Sequence, residues 1–302
     1  MIYHHLGSQP GIPDMHCFVV EQRRQLLVMQ LLGDNLESIF RARGCRFSTK
    51  TICMLAIRMI TLVDRVHSKG LVHRDQKPDN YCIGAGTGED AQKQLYLLDF
   101  GLSASYRSVD GRHLPFSQNC GTWGTTRYMS LAAHEGVRQS RRDDLESIGF
   151  VLVYFLFNGR LPWSGLNVPS YRRKMRLIRT LKRKFVEEED ASCCPQRIPN
   201  AVFDYLHYCR SLRFNERPDY GHRTEYCRVL FRLTLSELGT QDDGIFDWIE
   251  STNASQPAST TTASPEVHAR RRHRLVAATP VLDTTRESAE ARMQDEETPL
   301  IK

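Results

Sequence analysis

Apolar positions at the front of the chain fall in short strand-like runs, and further along they recur with a helical period. Cys17 to Val20 and Leu26 to Met29 read as two short strands joined by the polar turn Glu21 to Arg24. Gln30 to Gly33 is expected to break the second strand, and Asn35 to Arg41 to form a short helix. The clearest helix follows. Ser48 suits an N-cap, and Ile52, Leu55, Met59, Leu62, Val63 and Val66 keep helical spacing as far as Gly70. Tyr81 to Ile83 and Leu95 to Leu98 read as strands around a turn rich in glycine and glutamate, whereas 102–130 lacks any clean period and is expected to be an extended loop. Asp144 to Phe157 is apolar on nearly every side, which predicts a buried helix stopped by Asn158-Gly159. Tyr171 to Phe185 is amphipathic: Met175, Ile178, Leu181 and Phe185 are expected to face inward. Arg172, Arg173, Lys174, Arg176, Arg179, Lys182 and Arg183 are expected to face solvent. Helices at Ala201 to Leu212 and about His222 to Leu238 complete the pattern, an α+β chain dominated by its helices.

After about Ser251 the pattern dissolves. Thr252 to Pro265 is rich in Ser, Thr and Ala, Arg270 to Arg274 is a basic cluster, and Glu287 to Glu297 is acidic. Such a segment buries too little apolar surface to offset its ordering entropy. The chain is therefore divided into a folded domain over 1–250 and a disordered tail over 251–302. The 302 residues carry a net charge of +6, which admits an anionic partner without choosing among nucleic acid, acidic lipid and phosphorylated protein. Nucleic acid is not expected, because the basic helix carries no interleaved exposed aromatics and no nucleic-acid motif is present. Nine irregularly spaced cysteines read as reduced thiols. The start resembles no signal peptide, and the longest uncharged apolar run, Ile148 to Asn158, is too short to cross a bilayer. A monomer in the cytoplasm, the nucleus or both is expected.

The candidate chemistry lies between residues 73 and 101. His73-Arg74-Asp75-Gln76-Lys77-Pro78-Asp79-Asn80 has the form H-R-D-x-K-x-x-N, and Asp99-Phe100-Gly101 follows at a fitting distance. These fit the catalytic loop and the metal-binding triplet of protein kinases. Phosphoryl transfer needs positioning and charge neutralisation, and the residue types suit it. Asp75 would accept the proton of the substrate hydroxyl, and Lys77 would offset charge on the moving group. Asn80 and Asp99 would hold Mg2+ through hard oxygen donors. Arg74 could bind an anion such as a phosphate on the following loop.

Further stretches extend the likeness: Leu31 to Glu37, Gly124 to Ser130, Ser140 to Ser147, Leu161 to Leu166, and Arg210 to Phe214 with Arg217 to Tyr220. With them, the chain over Ile2 to Trp248 resembles the casein kinase I group of Ser/Thr protein kinases. The resemblance implies a protein-kinase-like fold, mostly its helical C-lobe, using ATP and Mg2+ on protein substrates. It implies a gatekeeper at Met29, adenine bonded to the backbone of Gln30 and Leu32, and Cys82 beneath the adenine. Asp144 would brace the catalytic loop. Substrates carrying phosphate or acid upstream of the target are implied, with an anion site at Arg127, Gly165 and Lys174.

The sequence departs from the group at its front. A glycine-rich loop over the phosphates, a strand lysine and a helix glutamate are expected of a kinase, and none is found. Residues 1–14 look like the tail of the helix that bears that glutamate. Gln76 is a smaller departure, since a branched aliphatic residue is usual there. The expectation is an N-lobe remnant of two strands, from an incomplete gene model of a Ser/Thr kinase, and the chain as written is expected to bind ATP weakly and to turn over very slowly or not at all. The alternative is a catalytically dead pseudokinase that binds phosphorylated or acidic partners.

Overall fold

A computed structural model describes residues 2–21, 24–189, 194–195, 197–220 and 226–249. The expected tail at 251–302, Cys193 and the start of the helix expected from His222 lie outside them. The described residues fall into two units, one of 2–16 with 29–249 and one of 17–28. In the second, Phe18, Val19, Val20, Leu26 and Val28 are exposed apolar residues of the expected strand pair. Its strands run longer than expected, as β1 (Met15–Glu21) and β2 (Arg24–Met29), and form a two-stranded sheet.

The larger unit begins with α1 (Ile2–Leu6). After β2 comes β3 (Leu32–Asn35), where a break was expected. Gly33 obscured it. A Cβ there would lie 2.6 Å from the Gly84 carbonyl oxygen, so the glycine permits close pairing of β3 with its neighbour. The short helix follows as α2 (Leu36–Ala42), with the Asn35 side chain accepting from Ser38 N–H. Next is α3 (Thr49–Ser68), capped by Ser48, whose side chain accepts from Thr51 N–H. β4 (Leu71–Val72) leads into the His73 loop. β5 (Tyr81–Gly84), α4 (Glu89–Lys93) and β6 (Leu95–Leu97) follow. The strand pair was expected, but α4, a single exposed turn, has no apolar period to reveal it. The sheet order is β3-β5-β6, antiparallel throughout, with a bulge in β3 between Leu32 and Asn35. β7 (Ala104–Ser105) pairs antiparallel with β4.

Five further helices complete the unit among the described residues: α5 (Leu131–His134), α6 (Arg141–Leu156), α7 (Tyr171–Glu188), α8 (Asn200–Ser211) and α9 (Tyr226–Glu237). α6 is the buried helix that its sequence predicts. It packs against α3 and α8, and α9 packs on α3. The approach of α8 depends on Gly149, since a Cβ there would meet Leu206 Cδ2 at 2.4 Å. α7 requires a correction: Lys182, expected at the surface, is 0% exposed. No helix among the described residues is long and apolar enough to cross a membrane.

Candidate active site

The loop from His73 to Asn80 is held from beneath by α6. Asp144, at the start of that helix and fully buried, accepts at Oδ2 from His73 N–H (2.7 Å) and at Oδ1 from Arg74 N–H (2.7 Å). Its Oδ2 also meets His67 Nε2 of α3 at 2.8 Å. Burial would raise the Asp144 carboxyl, but the His67 hydrogen bond, its electrostatic interaction with the His67 and His73 rings and the His73 N–H together hold it below the usual carboxylate range. These bonds fix a strained chain, for Arg74 has φ +70°. The His73 ring is set by its neighbours: Nδ1 accepts from Asp75 N–H (3.3 Å), and Nε2–H donates to the Leu98 carbonyl (2.9 Å).

Asp75 is 6% exposed, and both of its carboxylate oxygens accept hydrogen bonds. Lys77 Nζ donates to its Oδ2 at 2.7 Å, while Thr125 donates to Oδ1 from both its N–H (2.9 Å) and its hydroxyl (2.7 Å). Burial pushes the Asp75 carboxyl up, yet the bonds from Lys77 and Thr125 and the Lys77 charge outweigh it and leave the group lowered. For Lys77 burial acts downward, and Asp75, followed by Asp99 and Asp79, overcomes it and raises the ammonium. Asn80 donates from Nδ2 to the Asp75 carbonyl at 2.9 Å, which leaves its amide oxygen for a ligand.

Asp99 reaches the same neighbourhood from β6. It adopts the left-handed conformation (φ 59°), with Oδ1 accepting from Gly101 N–H at 3.3 Å. Phe100 is clasped between two rings, Tyr3 of α1 and His73, each edge-on with centroids 5.1 Å away. The Tyr3 hydroxyl accepts from Asp99 N–H at 3.3 Å, and burial pushes that phenol up to about 12. A residue of the first helix thus bears directly on the triplet that ends at Gly101.

The remaining expected residues divide. Met29 ends β2, and Gln30 N–H already donates to the Asp14 carbonyl at 2.7 Å. Leu32 pairs with Gly84, and Cys82, paired with Asn35 and Tyr96, is 9% exposed. Burial pushes the Cys82 thiol up to about 11, so it is a packing group and no nucleophile. Arg127 lines a cleft with Glu37, Arg41, Lys77, Asn80 and Thr125. Its guanidinium lies 5.7 Å from the ring centroids of both Tyr128 and Tyr154. Gly165, at φ +70° with open space around its Cα, and exposed Lys174 do not line that cleft. Arg74 is engaged by the Leu102 carbonyl and by the Trp123 ring, whose centroid is 5.5 Å from the guanidinium carbon.

Thr125, Tyr3 and Lys182 were missed in the sequence. Thr125 sits in the Gly124 to Ser130 stretch, but nothing in a linear motif shows that it meets Asp75, 50 residues earlier in the chain.

A carboxylate bonded by a lysine and a threonine, with an amide and a second carboxylate nearby, has the donors and acceptors that phosphoryl transfer uses. The protein kinase domain family model matches residues 1–226, and the chain belongs to that family. Membership implies kinase activity on protein substrates, with ATP and a divalent cation. The residues fit such an ion: the Asn80 and Asp99 oxygens are hard donors, and Mg2+ commonly takes only one or two carboxylates from the protein beside phosphate and water.

Proposed function

We propose that the protein is a Ser/Thr protein kinase of the casein kinase I type, transferring the γ-phosphoryl group of ATP to protein hydroxyls. The observation that carries this reading is the Asp75 carboxylate held between Lys77 Nζ and the Thr125 N–H and hydroxyl. In this reading Asp75 orients the acceptor hydroxyl and takes its proton, and its lowered pKa suits a proton that moves late in a loose transition state. Lys77 stabilises negative charge beside it. Asn80 and Asp99 hold Mg2+, which when bound offsets charge on the phosphate oxygens. Serine and threonine are favoured over tyrosine because the segment carrying Thr125 lies directly against Asp75. A peptide backbone resting on that segment is a short side chain away from the carboxylate, and a tyrosine ring would overreach it.

Recognition of a phosphorylated or acidic substrate rests on Arg127, which combines a cation with the same cleft as Lys77. Lys174 and the basic face of α7 add longer-range attraction that weakens with salt. A second reading is a domain that binds such partners without turnover. Arg127 in its cleft favours it, since holding an anion there needs no transfer step. The test is binding of a phosphopeptide and its unphosphorylated twin to wild type, Arg127→Ala and Lys174→Ala. Phosphate preference should fall at least tenfold in the Arg127 variant and less in the Lys174 variant. Equal preference in all three proteins would place the anion site elsewhere.

A further inference from the structure

Lys182 is a buried charged side chain that the proposed chemistry leaves unused. It stands on α7, is 0% exposed, and donates from Nζ to the carbonyls of Met129 (2.7 Å) and Thr126 (3.1 Å). His134 Nε2 lies 3.3 Å away, and the amino group rests over the Phe150 and Trp163 rings, with centroids at 4.6 and 5.5 Å. Burial lowers the Lys182 ammonium well below its ordinary range, with the Glu146 charge acting in the opposite direction. A lysine in such a place needs a reason, because an apolar residue of similar length would fill the volume without the desolvation cost.

The reason lies in the segment it holds. Residues 125–130 turn sharply, with Tyr128 N–H and Met129 N–H both donating to the Thr125 carbonyl at 2.8 and 2.9 Å. The turn aims the Thr126 and Met129 carbonyls into the interior, where they meet Lys182. Trp163 Nε1–H takes the intervening Arg127 carbonyl at 2.9 Å. At the front of the same turn Thr125 contacts Asp75. We propose that Lys182 is a positioning residue for phosphoryl acceptor binding: its amino group pins the inner carbonyls of the 125–130 turn, and thereby sets Thr125 against Asp75. The inference rests on the kinase reading for what the turn receives, but not for the pinning itself.

The test compares Lys182→Met with the wild-type full chain by amide hydrogen exchange, thermal unfolding and acceptor-peptide kinetics. Methionine keeps the bulk and removes the donors, and loss of a buried charge to an apolar residue need not lower stability. Exchange at Tyr128 and Met129 should rise at least tenfold, with α3 and α6 amides unchanged. Peptide kcat/KM should fall at least tenfold, with KM for ATP held within twofold. Unchanged exchange at Tyr128 and Met129, or a rise shared equally by α3 and α6, overturns the proposal and leaves Lys182 a packing residue. If Lys182→Met does not fold, Lys182→Gln replaces it, since its amide is too short to reach both carbonyls. The same local rise in exchange is expected, and its absence is equally decisive. Wild type that transfers no phosphate, together with a local exchange response in the variant, would refute the kinase reading and leave the pinning intact.

Discussion

Replacing Asp144 with alanine should destabilise the fold more than any substitution at the protein surface. The carboxylate accepts from two backbone N–H groups and meets one imidazole, at 2.7, 2.7 and 2.8 Å. Alanine leaves the buried His73 N–H and the half-buried Arg74 N–H without an acceptor, at a cost of about 1–3 kcal/mol each, and the imidazole bond is lost as well. A destabilisation of roughly 3–6 kcal/mol follows, a large part of the ~5–15 kcal/mol that holds a typical domain together. Arg74, released at φ +70°, should relax and carry Asp75 out of place. Asn at this position keeps one acceptor oxygen and should lie between the two. Urea unfolding followed by fluorescence measures the difference. The pH dependence has a defined sign. Because the folded carboxyl titrates below its ordinary value of 3.8, its stabilising effect is complete above that pH and is lost as the pH falls through the folded pKa. Alanine should flatten that acid limb. A change below about 1 kcal/mol in Asp144→Ala would refute the bracing argument.

Two further outcomes test buried polar groups near the site. Tyr81 donates to Gln76 Oε1, while Gln76 Nε2 has no hydrogen-bond partner among the described residues. Tyr81→Phe should therefore cost about 1–3 kcal/mol in urea unfolding, whereas Gln76→Leu with Tyr81→Phe should match or exceed wild type. Burial first, and then the Asp143 charge, push the Glu146 carboxyl up to about 7. A raised carboxyl stabilises at low pH, and its contribution is lost as pH rises from the ordinary value of 4.5 through about 7. Glu146→Gln should abolish that decline when unfolding midpoints at pH 5 and pH 8 are compared.

The motif spacing made the grouping of Asp75, Lys77 and Asn80 legible in sequence because their contacts are local in the chain, and the DFG triplet marked Asp99, whose charge bears on Lys77. Local signals of the same kind gave the Ser48 cap, the end of α3 near Gly70 and the buried character of α6. What stayed hidden depends on tertiary contact or on a residue contradicting its position. Thr125 meets Asp75 only after the chain has folded back on itself. β3 was masked by Gly33, whose missing side chain is what lets the strand pair. Lys182 is the most instructive case. Met175, Ile178, Lys182, Phe185 and Val186 are all buried at helical spacing, so the period placed position 182 inside. Its charge argued for solvent, and the inward carbonyls that reverse that preference come from a segment more than 50 residues away.

The central claim is that the Asp75 constellation performs phosphoryl transfer to a short hydroxyl side chain. Its most direct measurement is γ-phosphoryl transfer from Mg-ATP to a serine peptide and to its tyrosine counterpart, by wild type, Asp75→Asn and Asp99→Asn. The account predicts magnesium-dependent phosphoserine with little phosphotyrosine, and loss of about two to four orders of magnitude on removing Asp75. Asp99→Asn should be at least as damaging. No transfer above the protein-free rate by wild type, or transfer that survives both substitutions, would contradict it.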